Sequence, residues 1–159
     1  MLVPGCRFVA EWCPVTMQLR TEVEIAACPG RVWAVLTDFS AYPTWNPFIA
    51  SVEGELRSGA RLRVAMSLHD GTELRWRSRV RVCEPPSELR WTACRWLPTL
   101  LSLEHLFLLT PAGDGRTRLV HGEDLSGWLL EYLGDRATLT VRGMVHMNEA
   151  LKARAEAVT

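Results

Sequence analysis

The sequence has no net charge, no apolar run of membrane-spanning length and no closely spaced pair of cysteines, and each absence removes a class of protein. Eighteen basic residues are matched by eighteen acidic ones, so no overall field draws the chain to nucleic acid or to an anionic membrane. No stretch approaches the roughly 20 apolar residues that a membrane helix needs, and no stable membrane insertion is expected. The five cysteines, Cys6, Cys13, Cys28, Cys83 and Cys94, are odd in number and lack zinc-site spacing. Buried free thiols in a reducing cytoplasm are expected, with no metal. Phosphate loops, dinucleotide fingerprints and serine elbows are also missing, so no cofactor is expected. Repeats and low-complexity tracts are absent.

What is present fits one domain. At 159 residues, a chain buries about two thirds of its unfolded surface on folding. The opening MLVPGCRFVAEWCP has Pro4, Gly5 and Glu11 where a secretory signal needs an unbroken apolar core. Residues 1–15 are therefore expected to be a poorly structured extension, with Met17 as a second translation start, ahead of a single domain over 16–158.

The organising element is the C-terminal stretch from Gly127 to Val158. Leu129, Leu133, Ala137, Val141, Met144, Met147 (or Asn148), Leu151 and Ala155 recur at three- and four-residue steps, which predicts one long helix with a single apolar stripe. Most of what precedes it alternates at strand period. Leu19, Thr21, Val23 and Ile25 share one face of a first strand. Pro29 opens a short helix through Thr37, and Pro43 and Pro47 allow only a brief second one. Further strands are predicted over Phe48–Glu55 and Arg61–Leu68. The next has Leu74, Trp76, Ser78, Val80 and Val82 against Arg75, Arg77, Arg79 and Arg81. Three more follow, over Glu88–Trp96, Leu100–Thr110 and Thr117–Leu125. Seven strands, two short helices and a long last helix predict an α+β fold: a curved antiparallel sheet wrapped around the terminal helix, with a cavity between them.

In this order the residues resemble a known group. The strings VWAVLTDFSAYPTWNPFI (Val32 to Ile49), Gly54-Glu55, LEHLFLLTP (Leu103 to Pro111), RTRLVHGEDLSG (Arg116 to Gly127) and MNEALKARAE (Met147 to Glu156) are similar to the polyketide cyclase/dehydrase branch of the START-like, helix-grip superfamily. The resemblance runs from Leu19 to Glu156. It implies a helix-grip fold and a ligand cavity. The superfamily includes lipid and sterol carriers, hormone receptors and polyketide aromatase/cyclases. His105 and Glu123 fall in its recurring motif positions.

The candidate site follows from strand parity. His105 shares a face with Leu103, Phe107 and Leu109, and His121 and Glu123 share one with Leu119 and Leu125. Pairing Phe107 with Leu119 would set His105 opposite His121 and Leu103 opposite Glu123. Two imidazoles and a carboxylate suit proton transfer, and they equally suit a structural or ligand-orienting hydrogen-bond set. Phe48, Trp76, Trp91 and Phe107 are candidate cavity walls or core. Trp45 is either a lid at the entrance or packing for the helical V, with Asn46 fixing the turn. Arg95 shares plain parity with Leu89 and Trp91 and is a candidate anchor for an anionic ligand group. The arginine series of residues 75–81 reads as a solvated outer face, without the interleaved aromatics of a nucleic-acid platform. The expected function is binding of a small hydrophobic or amphipathic molecule, such as a lipid, polyketide or aromatic compound. The alternatives are a cyclase/dehydratase using His105 and Glu123, and a ligand-free interaction domain. The expected state is monomer or homodimer.

Overall fold

The computed structural model describes residues 16–67, 73–96, 101–132 and 136–157. Seven strands form one antiparallel sheet: β1 (Thr16–Ile25), β2 (Ile49–Gly54), β3 (Arg61–Ser67), β4 (Glu73–Glu84), β5 (Glu88–Trp96), β6 (Leu101–Pro111) and β7 (Thr117–Ser126). Their order is β1-β7-β6-β5-β4-β3-β2. The strands after the first thus run as a meander, and β1 returns to pair with the last of them. The chain crosses between the two sheet edges through α1 (Pro29–Thr37), a 3-10 turn (Phe39–Ala41) and α2 (Tyr42–Trp45).

Pro29 occupies the first turn of α1, where its missing amide hydrogen has no intrahelical partner to lose. The V of short helices is pinned by Tyr42, whose hydroxyl donates to the Leu36 carbonyl at 2.6 Å. Asn46 fixes the exit, its Oδ1 accepting from the amides of Phe48 (3.0 Å) and Ile49 (2.9 Å).

The last helix, α3 (Arg136–Glu156), lies over the concave side. Met144, Met147, Asn148, Leu151 and Ala155 are its buried stripe, meeting Ile25, Leu36, Tyr42, Leu89, Trp91, Phe107 and Leu119 in the core. The expected continuous helix from Gly127 is corrected. Trp128–Tyr132 forms a separate 3-10 turn whose Leu130 amide bonds back to the Gly127 carbonyl at 3.3 Å. Three residues per turn instead of 3.6 change the phase, so Leu130 is buried where the stripe placed Leu129. Leu133 lies outside the described residues.

Two bulges correct strand alternation. The pairing skips Arg81 between Val80↔Trp91 and Val82↔Arg90, so Cys83, opposite Leu89, packs against the core where plain alternation placed Val82. A second shift between Thr92 and Cys94 sets Arg95 opposite Ser102. The parity that grouped Arg95 with Trp91 does not run through it, and the Arg95 side chain lies outside the described ones. Cys28 is an exposed thiol, not a buried one, and Cys83 is half-buried. Among the described residues no helix is long and apolar enough to cross a membrane.

Candidate functional site

The site is built on β6 and β7, two strands paired without interruption from Ser102↔Ser126 to Pro111↔Thr117. Here Leu109 faces Leu119, Phe107 faces His121 and His105 faces Glu123. The expected pairing of His105 with His121 is corrected by a shift of two residues. Such a shift keeps every side chain on its face and changes only its neighbour. The predicted trio is therefore together, and a diagonal contact replaces the predicted rung.

All three side chains are buried, His121 completely and His105 and Glu123 to within a few per cent. They form a chain. Glu123 Oε1 lies 3.1 Å from His105 Nδ1, and His105 Nε2 lies 2.7 Å from His121 Nε2. His121 Nδ1 lies 2.7 Å from Asn148 Oδ1. Asn148 Nδ2 donates to Thr21 Oγ1 at 2.9 Å, and Thr21 Oγ1 donates to the His121 carbonyl at 3.1 Å. Asn148 comes from α3 and Thr21 from β1, where it stands opposite His121. The chain thus ties the helix to both edges of β7.

The direction of the chain follows from its far end. A backbone carbonyl only accepts, so the single Thr21 hydroxyl hydrogen is spent on it, and Thr21 must accept from Asn148. Asn148 therefore turns its amide nitrogen to Thr21 and its oxygen to His121, which requires hydrogen on His121 Nδ1. Burial and the neighbouring His105 hold the His121 pKa well below its ordinary value, with the Asn148 bond opposing them, so this ring is neutral and its Nε2 is an acceptor. His105 must then carry hydrogen on Nε2. One further hydrogen lies on the line between His105 Nδ1 and Glu123 Oε1. The pair is either imidazolium with carboxylate or imidazole with carboxylic acid.

The His121 shift has a sign. In acid the unfolded chain takes up a proton that the folded ring refuses, so this contribution to stability is complete above pH ~6.5 and declines below it. The expected loss is up to about 1.4 kcal/mol per pH unit from this group. Urea midpoints at pH 7, 6 and 5 should fall more steeply for the parent protein than for His121→Gln. Parallel profiles would remove His121 as the source.

Aromatic rings wall the chain. Trp91, opposite His105 on β5, stacks on it at 5.4 Å between centroids and 5° between planes. Phe107 stacks on His121 at 4.4 Å, and Phe48 approaches His105 at 6.3 Å. Phe48, Trp91 and Phe107 are thus brought to the histidines. Trp45 lies half-buried in the V, edge-on to Tyr42 at 5.1 Å. Its Nε1 and the Asn46 Nδ2 are buried without a partner among the described residues. Trp76 is not at the histidines: half-buried, it packs against the core from β4 and donates to Ser78 Oγ at 3.0 Å. Among the described residues no group of three His, Cys, Asp or Glu side chains is placed to hold a metal.

Sequence reasoning missed Asn148 and Thr21 as site residues. Their signal was a polar residue within an apolar set: Asn148 alternates with Met147 on the helix stripe, and Thr21 sits between Leu19 and Val23 on a strand face.

The model of the family described as "Polyketide cyclase / dehydrase and lipid transport" matches residues 16–158. The Zhui aromatase/cyclase from a Streptomyces species is a similar solved structure, with 21% identity over 89% of this chain and 94% of that one and a TM-score of 0.71. Truncated norcoclaurine synthase from Thalictrum flavum has 12% identity over 95% and 100%, also with a TM-score of 0.71. The two-domain aromatase/cyclase StfQ of the steffimycin pathway has 17% identity over 89% of this chain and 51% of its own, with a TM-score of 0.71. At these identities the likeness shows the helix-grip fold. No curated protein sequence matches the chain significantly.

Proposed function

The chain belongs to the polyketide cyclase/dehydrase and lipid transport family, and on that premise we propose that it binds a small hydrophobic or amphipathic molecule between the curved sheet and α3. The observation that carries this reading is the buried polar chain from Glu123 to Thr21 inside walls of Trp91, Phe107 and Phe48. Apolar residues of similar volume would commonly serve stability as well or better, so the chain's cost is best accounted for by a ligand that it orients. Glu123 is the member that meets the ligand. Both ring nitrogens of each histidine are engaged within the chain, whereas Oε2 of Glu123 has no partner among the described residues. The two orphaned donors at Trp45 and Asn46 support a ligand with a polar group near the V. The unpaired thiols Cys28 and Cys83 favour a cytoplasmic setting.

Native mass spectrometry of the protein as purified, with extraction of anything bound, tests the binding. A co-purified lipid, polyketide or aromatic compound is expected. Protein that is empty and also fails to take up an apolar fluorescent probe would sink the reading and favour an interaction domain.

The second reading, a cyclase- or dehydratase-type reaction, is favoured by the hydrogen shared between His105 and Glu123. The walls would fold a reactive chain into a near-attack conformer, and Glu123 would exchange a proton with it while His105 sets which form Glu123 takes. If this holds, Glu123→Gln leaves ligand binding within about threefold and lowers turnover of a bound polyketide-like substrate by about 100-fold or more. Equal loss of binding and turnover would reduce Glu123 to an anchor.

A further inference from the structure

The outer face of the sheet treats charge in two opposite ways. On the half made by β1, β7, β6 and β5, basic and acidic side chains are matched: Arg20 with Asp124, Arg118 with Glu22 at 2.6 Å, Arg116 with Glu24, and Arg90 with Glu88 and Glu104. Even where two carboxylates stand directly opposite, at Glu104↔Asp124, Arg90 reaches both and Arg20 holds the second.

The β3–β4 half does the reverse. Arg61 stands opposite Arg79, and Arg63 opposite Arg77, with Arg75 and Arg81 continuing the exposed row. Like charges directly across an antiparallel pair are some 5 Å apart at Cβ and destabilise it. Glu53 reaches Arg63 at 3.5 Å and Glu73 reaches Arg75 at 2.8 Å. Among the described residues no carboxylate reaches Arg61, Arg77, Arg79 or Arg81. The sequence showed the arginine series of β4 but not that Arg61 and Arg63 of β3 stand directly opposite it.

We infer that the outer face of the β3–β4 ribbon is a docking surface for an acidic segment of a partner protein, whose carboxylates supply the missing counter-charge. The face has relief suited to side chains. A hollow of about 500 Å³ is bordered by Arg61, Arg63 and Arg77 with the single carboxylate of Glu53, and one of about 430 Å³ by Arg63, Arg75 and Arg77, again with Glu53 alone. The Arg63/Arg77 pair borders both, so carboxylates seated in the hollows would meet guanidinium forks that bind them bidentately. A compact patch on a chain of zero formal charge acts at contact range, which suits a protein segment better than a long polyanion that needs a wide basic field. The alternating partners of the arginines on β4 point to the other face, so no aromatic platform serves single-stranded bases.

The test uses the full chain and three labelled probes: a glutamate-rich decapeptide, a duplex oligonucleotide and phosphatidylserine vesicles. The decapeptide is expected to bind at low salt and to weaken as salt is raised. Arg77→Glu with Arg79→Glu should weaken it about 10-fold or more, while Arg118→Glu on the matched half leaves it unchanged. Tighter binding of the duplex or the vesicles, or equal loss in the Arg118 variant, overturns the assignment. A separate readout needs no partner. Arg77→Glu alone should raise the melting temperature by about 1–2 °C, because it replaces repulsion with an ion pair to Arg63. A lower melting temperature would show that the row was not short of negative charge.

Discussion

Gly143→Ala should lower the melting temperature of this protein, and the same substitution should raise it when Phe48 is already alanine. An alanine Cβ at position 143 would lie 2.1 Å from one carbon of the Phe48 ring and 2.4 Å from the next, well inside the ~3.5–4 Å at which carbons rest. The ring has little room to retreat. It is 3% exposed, held by the backbone turn that Asn46 fixes, with the His105 ring on its sheet side. Helix propensity alone would favour alanine by about 1 kcal/mol, but overpacking typically costs about 1–3 kcal/mol, and contacts this short put the cost here at about 2–3 kcal/mol. The net loss expected is about 1–2 kcal/mol, or roughly 3–6 °C for a domain of this size. Phe48→Ala by itself should cost about 3–5 kcal/mol. In that background the clash is gone, so Gly143→Ala keeps its helical gain and fills part of the void. Thermal melts of the four proteins give the coupling directly. A Gly143→Ala protein as stable as its parent would mean that Phe48 does not fill the space between helix and sheet.

That ring also bears on ligand binding, because it is the wall nearest His105 from the helix side. Displacing it toward the sheet narrows whatever a ligand occupies, and truncating it widens the same space. The Phe48→Ala and Gly143→Ala proteins should therefore shift probe affinity in opposite directions, whereas variants on the outer arginine row should not shift it.

The limits of the sequence reading have the same physical origin throughout. Strand faces were legible because alternation has a period of two, and a slip of two residues preserves it. His105, His121 and Glu123 were thus placed on the right face although their neighbours were wrong. The register itself depends on how the turn after Pro111 closes, and apolar pattern alone fits both pairings. Bulges at Arg81 and Ala93 shift the register without any marker residue, which is why Cys83 was overlooked and why plain parity could not be carried through to Arg95. The helical stripe was legible from Met144 to Ala155. It failed over Trp128–Tyr132, where a tighter turn replaces the 3.6-residue period. Asn148 was visible only as an ambiguity, since a polar residue on a stripe is worth naming only once its partner is known.

Asn148→Asp should reverse the direction of the buried chain without changing its shape. In the parent, His121 carries hydrogen on Nδ1 and accepts at Nε2, because Asn148 presents an oxygen 2.7 Å from Nδ1 and burial keeps the ring neutral. A carboxylate at that place favours the charged ring, since an opposite charge within about 4–6 Å stabilises the ionised form. His121 then carries hydrogen on both nitrogens, and its Nε2 donates across the 2.7 Å contact. His105 can no longer donate there, so it keeps hydrogen on Nδ1 alone and must give it to Glu123, fixing that group as a carboxylate. The switch is read by ¹⁵N NMR of histidine-labelled protein, in which the exposed His146 of α3 serves as a reference. At pH 7 the parent is expected to show one protonated and one bare nitrogen on His121, and the variant two protonated nitrogens. Asn148→Leu separates shape from polarity: it removes the acceptor, leaves the Nδ1 hydrogen unpaired and should cost about 1–3 kcal/mol without charging the ring. A neutral His121 in Asn148→Asp would show that Asn148 does not set the direction, and hence that it does not govern which protonated form of Glu123 a ligand meets. If the ring charges as expected, the variant holds Glu123 ionised. A reaction that needs Glu123 as an acid should then fall about 100-fold, while one that needs it as a base should survive.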